Sequence, residues 1–248
     1  SDMQQKRGLQ KRWLRNTLGL VLALVLVCVT ALSVTVAAYY YSNMQAGMES
    51  KARTSTSFFE NYIGQSYNEF YRSCMKFAQT FDAKDVMELQ FINTNNRIVA
   101  SSFGRFSGKV NVTSDVTDAI ATKKISTFTG TNPATGERIM AVSSPLVYSN
   151  GEVIGVLRYV TSLKKVDRQI LLFSVMVALV GAVVLLIVYV SGKYYIKSIL
   201  VPVAEITSVA KRIAAGSYGI QIHRQFDDEI GELADTINDM SNKISQSE

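Results

Sequence analysis

Histidine is almost missing from this sequence: His223 is the only one in 248 residues. Without imidazole elsewhere, Ser-His and Cys-His mechanisms and histidine-ligated metal sites are excluded from nearly the whole chain. Cysteine is nearly as scarce. Cys28 lies inside a long apolar run and Cys74 in a more polar segment, so the two cannot bridge within one chain. Cys74 reads as a small buried hydrophobe, with a bridge between chains as the alternative. The three prolines leave long stretches with nothing to break a helix. No GxxxxGK[ST], CxxC or HExxH pattern occurs, and Gly104 with Gly108 is too little for a phosphate loop. Charged residues are few, 19% against 48% hydrophobic, a balance that excludes disorder.

What the sequence has in excess is apolar run. No charge occurs from Asn16 to Met48, around TLGLVLALVLVCVTALSVTVAAYYY, or from Gln169 to Gly192. The second run, as a helix, is about 36 Å long. Each suits a transmembrane helix, and the first is too long for a signal-peptide core. Ser1-Asp2 ahead of Met3 read as a cloning remnant. Lys6, Arg7, Lys11, Arg12 and Arg15 precede the first run, and Lys193 and Lys197 follow the second. The excess of basic residues on these flanks predicts both termini in the cytoplasm and the middle of the chain outside it. Trp13, Tyr39–Tyr41, Tyr189, Tyr194 and Tyr195 sit where interfacial aromatic belts belong. The net charge of +6 is then largely a topology signal and implies no nucleic acid. The divisions are 1–15, basic N-terminus; 16–41, first span; 42–168, outer domain; 169–192, second span; and 193–248, inner segment.

Between the spans, Met44, Met48, Phe58, Phe59, Tyr62, Ile63, Tyr67, Phe70, Tyr71, Cys74, Phe77, Ala78 and Phe81 recur at threes and fours. This predicts a long amphipathic helix continuing from the first span, its aromatic stripe used for packing. Strands follow at 86–92 and 97–102 around Asn93-Thr94-Asn95-Asn96, then a looser stretch with a short helix at 115–122. Further strands fall at 126–131, 138–148 and 152–163, the last two joined through Ser149-Asn150-Gly151. The sum is a five-stranded meander around a helix-bearing loop. A long membrane-continuous helix, an antiparallel sheet and the closing RIMAVSSPLVYSNGEVIGVLRYV, residues 138–160, resemble the extracytoplasmic PAS-like fold called single Cache, found in bacterial sensor receptors. In that fold Phe103 and Arg105 would lie on the loop covering a pocket, with Arg138, Tyr148, Arg158 and Tyr159 on the last two strands. Strand arginines can hold an anionic ligand by paired hydrogen bonds. A solvated sheet face, or salt bridges to Glu137 or Glu152, is the other reading.

After the second span, Ile199, Ile206 and Ile213 fall seven apart with Pro202 and Val209 between them. Ile230, Leu233, Ile237, Met240 and Ile244 then repeat at 3-4-3-4 spacing. Two short amphipathic helices are expected to pair with each other and with a second copy, because neither is stable alone. Ile220 and Ile222 alternate in the connector, suited to tucking against that bundle. This segment closely resembles a HAMP domain. The matching residues are Pro202, Gly216, the Asp228-Glu229-Ile230-Gly231 run, Leu233, Asn238 and Met240. Pro202 fits a helix first turn or a kink, Gly216 a left-handed cap, and Asp227, Asp228 and Glu229 the positive end of a helix dipole. The signal-relay residues are therefore Pro202, Ile206, Val209, Ile213, Gly216, Glu229, Ile230, Leu233, Ile237 and Met240.

Taken together, these resemblances imply an α+β membrane receptor, a homodimer in the bacterial plasma membrane with a parallel four-helix HAMP bundle. They make the chain the sensory half of a two-component sensor histidine kinase, with its kinase domain beyond residue 248. No catalytic residue, metal or cofactor belongs to this chain, and ATP and Mg are expected only for the kinase domain. His223 falls in the HAMP connector, whereas sensor kinases carry their phosphoacceptor on a later helix. The partners are a second copy, membrane lipid, an external signal and, through the kinase domain, a response regulator. A methyl-accepting chemoreceptor shares the same parts, and a membrane-anchored scaffold without an output domain is the reading from a different class.

Overall fold

The computed structural model describes residues 2–60, 67–83, 85–104, 108, 112–148, 150–223 and 227–247. The chain divides into two compact units, Ala31–Val175 and a second made of residues 1–30 and 176–248. Two long helices, α1 (Asp2–Glu60) and α4 (Lys164–Tyr195), contribute to both. Both are long and apolar enough to cross a membrane. Their spans carry leucine and valine around the whole circumference, with Leu20, Leu24, Leu171 and Leu179 exposed. A helix apolar on every side is stable only where lipid or protein covers it.

In the unit Ala31–Val175, the outer part of α1 and α2 (Tyr67–Gln79) precede β1 (Glu88–Asn93) and β2 (Ile98–Ser101). Helix α3 (Ser114–Thr122) leads to β3 (Ser126–Thr131), β4 (Arg138–Val147), β5 (Val153–Ser162) and the start of α4. The long helix expected over 44–81 is described as α1 up to Glu60 and as α2 from Tyr67 to Gln79, and residues 61–66, Tyr62 and Ile63 among them, lie outside the described residues. The strands lie within two residues of their sequence positions. The turns are as local chemistry requires, with Asn96 at φ +62 and Gly151 at φ +85. Asn93 Oδ1 accepts from the amides of Asn95 and Arg97, closing the first hairpin.

The sheet is not a meander. Its order is β2-β1-β5-β4-β3, all antiparallel, because the stretch carrying α3 takes the chain across to the far edge and β5 returns to pair with β1. The central position goes to β5, whose residues Gly155–Tyr159 are all buried. One sheet face packs on α1 and α2 through Met48, Ala52, Cys74, Phe91, Leu157 and Tyr159. The other face meets α3 in a smaller cluster of Ile92, Ile98, Val116, Ala119 and Val156.

In the second unit, α1 and α4 touch closely. A Cβ added at Gly181 would come 2.6 Å from Val25 Cγ1, and one at Gly192 would come 2.8 Å from Leu14 Cδ1. Small residues at these points let the two backbones approach, as between membrane helices generally. Trp13 stacks on Tyr195, ring centroids 5.1 Å apart. After α4 comes a π-helical turn, Ile196–Leu200, then α5 (Val201–Ala214), a connector, and α6 (Glu229–Ser247).

Candidate functional site

The segment after α4 is built around one proline. Pro202 has no amide hydrogen, and its ring crowds the carbonyl four residues earlier. The helix accommodates it by widening into the π turn at Ile196–Leu200, where the Val201 amide reaches back to the Ile196 carbonyl. Pro202, Ile206, Val209 and Ile213 then form the buried stripe of α5. Gly216, at φ +105, ends that helix. Its amide bonds the Ile213 carbonyl and the Ser217 amide bonds the Arg212 carbonyl, each at 3.0 Å, a glycine-dependent paired cap.

Asp228 caps α6, its Oδ1 accepting from the amides of Ile230 at 3.0 Å and Gly231 at 3.3 Å. The α6 face turned to α5 carries Ile230, Ala234, Ile237, Ser241 and Ile244, around Ile206, Val209, Ile213 and Ile222. Leu233 and Met240, which belong to the same heptad pattern, are 43% and 42% exposed in a single copy. Glu229 is exposed beside the cap. The connector is pinned to α6 by two side chains. Asn238 accepts from the Ile222 amide at 2.7 Å and donates to the Ile222 carbonyl at 3.0 Å. Ser241 Oγ, fully buried, accepts from the Gly219 amide. The sequence singled out Asn238 as a motif residue without a role, and Ser241 carries no sequence signal beyond its place on the seam.

A second feature joins both long helices to the sheet. Arg138, at the start of β4, donates from Nη1 to Asp167 Oδ2 at 2.6 Å and to the Tyr41 hydroxyl at 3.1 Å. The Tyr41 hydroxyl in turn donates to Asp167 Oδ1. Tyr41 belongs to α1 and Asp167 to the first turn of α4. Farther along α1, Thr127 bonds Glu49, Tyr159 bonds Ser55, and Ser144 bonds Thr56. Helix α1 is thus held to the sheet by a ladder of polar contacts as well as by Met48 and Ala52.

Arg158 and Tyr159 cannot share one pocket, because neighbouring residues of a strand point to opposite sheet faces. Arg158 faces α3. Its Nε donates to Asp115 Oδ2 at 3.0 Å, Nη1 to Gln90 at 3.1 Å and Nη2 to Thr113 at 2.7 Å. Asp115, at 0% exposure, also accepts from Ser143 at 2.6 Å and from Thr113. Gln90 and Ser143 flank Arg158 in register on β1 and β4. Tyr159 faces α1, where burial pushes its hydroxyl up to about 12 despite the opposing Ser55 hydrogen bond. The carboxylates that meet the two strand arginines are therefore Asp115 and Asp167, not the expected Glu137 or Glu152. Glu137 accepts from Ser162 instead. Both acids lie far from the arginines in sequence, which hides the pairing.

Of the six residues expected around a ligand, the five that the structure describes do not converge. Phe103, at 66% exposure, and Tyr148 lie on the surface, and Arg105 falls outside the described residues. Burial also raises the Cys74 thiol to about 12. Cys74 lines a cavity with Phe70, Tyr71, Phe91 and Leu146 that measures about 30 Å³. That is room for one or two waters, against the several hundred Å³ of a typical small-molecule pocket.

Residues 194–246 match the family model for the HAMP domain, and residues 76–161 that for the WalK sensor protein kinase Cache domain. The sensor histidine kinase WalK of Bacillus subtilis is 22% identical over 205 residues, which take in 81% of this chain and 32% of that protein. The chain thus spans about a third of the length of the curated relative it matches. Two solved structures are also similar. The sensor domain of the V. cholerae histidine kinase DctB is 14% identical, covering 56% of this chain and 59% of that one at a TM-score of 0.41. The ligand-binding domain of the Pseudomonas aeruginosa PAO1 amino acid chemoreceptor PctC, in complex with GABA, is 13% identical, covering 55% and 60% at 0.39.

Proposed function

We infer that this chain, whose WalK-type Cache domain, HAMP domain and two apolar helices make up the sensory half of a membrane-anchored sensor histidine kinase, passes a signal from the Cache domain to a kinase domain beyond residue 248. The Cache domain lies outside the cytoplasm and both termini inside, in keeping with the basic flanks of the spans. The kinase domain would bind ATP and Mg and phosphorylate a response regulator. The working unit is a homodimer. Leu233 and Met240, half exposed and seven residues apart on α6, are the apolar positions a second copy would cover in a parallel four-helix bundle.

The observation that carries this reading is the Tyr41–Arg138–Asp167 contact. One guanidinium on the sheet holds the first helix and the last helix of the domain at the same place. Any rearrangement of β4 therefore acts on both spans. A signal shifts the balance only by binding the two arrangements unequally, and coupling of this kind is typically worth about 1–3 kcal/mol. Phe103 and Tyr148, both exposed, are separate candidates for signal contact, as is Arg105 on the strength of the sequence alone, while Arg138 and Arg158 act as internal clamps. Downstream, Pro202, Ile206, Val209, Ile213, Gly216, Glu229, Ile230, Leu233, Ile237 and Met240 form the relay, biased between two packings.

The test is ATP-dependent autophosphorylation of the full-length protein in nanodiscs. Arg138→Gln and Ile237→Ala should each change the basal rate several-fold while the dimer persists. Unchanged rates in both variants would overturn the proposed route.

A further inference from the structure

The inner ends of α1 and α4 carry charge that has no carboxylate partner among the described residues. Lys11, Arg12 and Arg15 on α1, Lys193 on α4 and Lys197 in the π turn are all exposed. None of these five takes part in the ion pairs Lys51–Asp82, Arg53–Glu49, Arg138–Asp167 and Arg158–Asp115, all of which lie between the spans. Lys193 has a tyrosine face, Tyr189, as its neighbour, 5.1 Å from the ring centroid, and no carboxylate.

Two contacts bring these residues to one level. Leu14 packs at Gly192, and Trp13 stacks on Tyr195. Helical geometry then turns Lys11, Arg12 and Arg15 away from α4, and Lys193 and Lys197 away from α1. The result is a collar of five basic side chains facing outward, directly beside the charge-free spans. Exposed Tyr194 and half-exposed Trp13 complete an interfacial belt.

We propose that this collar is a binding surface for anionic phospholipid headgroups, recruiting phosphatidylglycerol-type lipid in preference to zwitterionic lipid. The chemistry is that of a phosphodiester whose acyl chains lie along the apolar spans while ammonium and guanidinium groups hold its charge. Lys197 lies in the π turn, so a headgroup held there acts on the segment through which α4 enters α5. The inference rests on the reading of α1 and α4 as membrane spans, but not on which way they face.

Trp13 is the only tryptophan of this chain of 248 residues, so the fluorescence of that chain reports on this collar alone. The 248-residue chain is reconstituted in lipid vesicles of mixed phosphatidylglycerol and phosphatidylcholine, with one or the other brominated to quench nearby indole. Both leaflets have the same composition, so orientation does not enter. Quenching by brominated phosphatidylglycerol is expected to exceed that by brominated phosphatidylcholine about twofold or more, and to decline as salt screens the charges. The ratio should fall toward one in Lys193→Gln/Lys197→Gln and in Arg12→Gln/Arg15→Gln. It should stay unchanged in Lys164→Gln/Lys165→Gln, which alters the other end of α4.

Equal quenching by both lipids in the unaltered chain would overturn the proposal and leave the spans standing. So would an enrichment that survives all the substitutions, since it would not belong to the collar. An enrichment abolished by millimolar inorganic phosphate at constant ionic strength would assign the site to a free oxyanion instead. Quenching by neither lipid would remove the membrane-span reading and this proposal with it.

Discussion

Arg158 donates its Nε hydrogen to Asp115 across 3.0 Å, and the two residues are 4% and 0% exposed. Every polar group around them is paired, since Gln90, Thr113 and Ser143 complete the cluster. An arginine that the sequence offers as a ligand anchor is here the partner of the helix that covers its sheet face. Removing one member of a buried pair leaves the other charge without compensation, at a cost of about 3–5 kcal/mol. Asp115→Ala or Arg158→Met should therefore unfold the inter-span domain at markedly lower denaturant. Arg158→Met/Asp115→Leu together should recover much of the loss. Urea titration of the full chain in detergent, with hydrogen exchange at α3 as the local probe, checks both.

The contact between Arg138 and Asp167 behaves differently because it is half open to solvent, with Arg138 49% and Asp167 29% exposed. Screening limits its worth to stability to about 1 kcal/mol or less. Asp167→Asn should thus leave the unfolding midpoint nearly unchanged. As a clamp that carries signal, the same contact should alter basal autophosphorylation by a factor of about two to five on Asp167→Asn, the most that about 1 kcal/mol can shift a two-state balance. A double-mutant cycle with Tyr41→Phe measures the share that passes through the hydroxyl.

In the HAMP connector, Asn238→Ala deletes both hydrogen bonds to Ile222. The expected loss is about 1–3 kcal/mol, confined to the connector and α6. Asn238→Asp retains the acceptor for the Ile222 amide and loses the donor, so its effect should be intermediate. Hydrogen exchange of the Ile222 amide distinguishes the three forms.

At Gly192, a Cβ would come 2.8 Å from Leu14 Cδ1 and 3.7 Å from a Trp13 ring carbon, so a small side chain is met by a shift of Leu14 but a branched one also presses on Trp13. Gly192→Val should separate the two inner helix ends and break the Trp13–Tyr195 stack. Since Trp13 is the sole tryptophan of this chain, a changed emission maximum and increased acrylamide quenching are expected when the 248-residue chain is measured.

The pH dependence of the inter-span domain is set at the alkaline side by Cys74 and Tyr159, each raised to about 12 by burial. Their folded forms hold the proton more tightly than the unfolded chain, whose values are 9.0 and 10.0. The stabilisation is complete below about pH 9 and is lost as pH rises toward 12, at up to about 1.4 kcal/mol per pH unit for each group. Neither group contributes a change between pH 5 and 8. Denaturant midpoints at pH 7, 9 and 10.5 test the slope, and Cys74 should resist alkylation until the domain opens.

Local features are legible in the sequence because their causes are local. The β3 strand at 126–131, the Asn93–Asn96 and Asn150-Gly151 turns, the Gly216 cap, the Asp228 start of α6 and the apolar spans depend on residues within a turn or two of each other. The buried stripe Ile206, Val209 and Ile213 is likewise a matter of spacing along one helix. What only the tertiary structure decided is the pairing of distant parts. The insertion of β5 beside β1 depends on which strand best fills the sheet centre, and the partners of Arg158 and Arg138 lie 43 and 29 residues away. The division of the α6 heptad, with Ile230, Ile237 and Ile244 on α5 and Leu233 and Met240 left half exposed, is settled by packing in three dimensions. Spacing shows that a side chain is apolar and on a given face, but burial of a charge or a seam requires a partner supplied from elsewhere in the chain, and that choice is made by the folded shape.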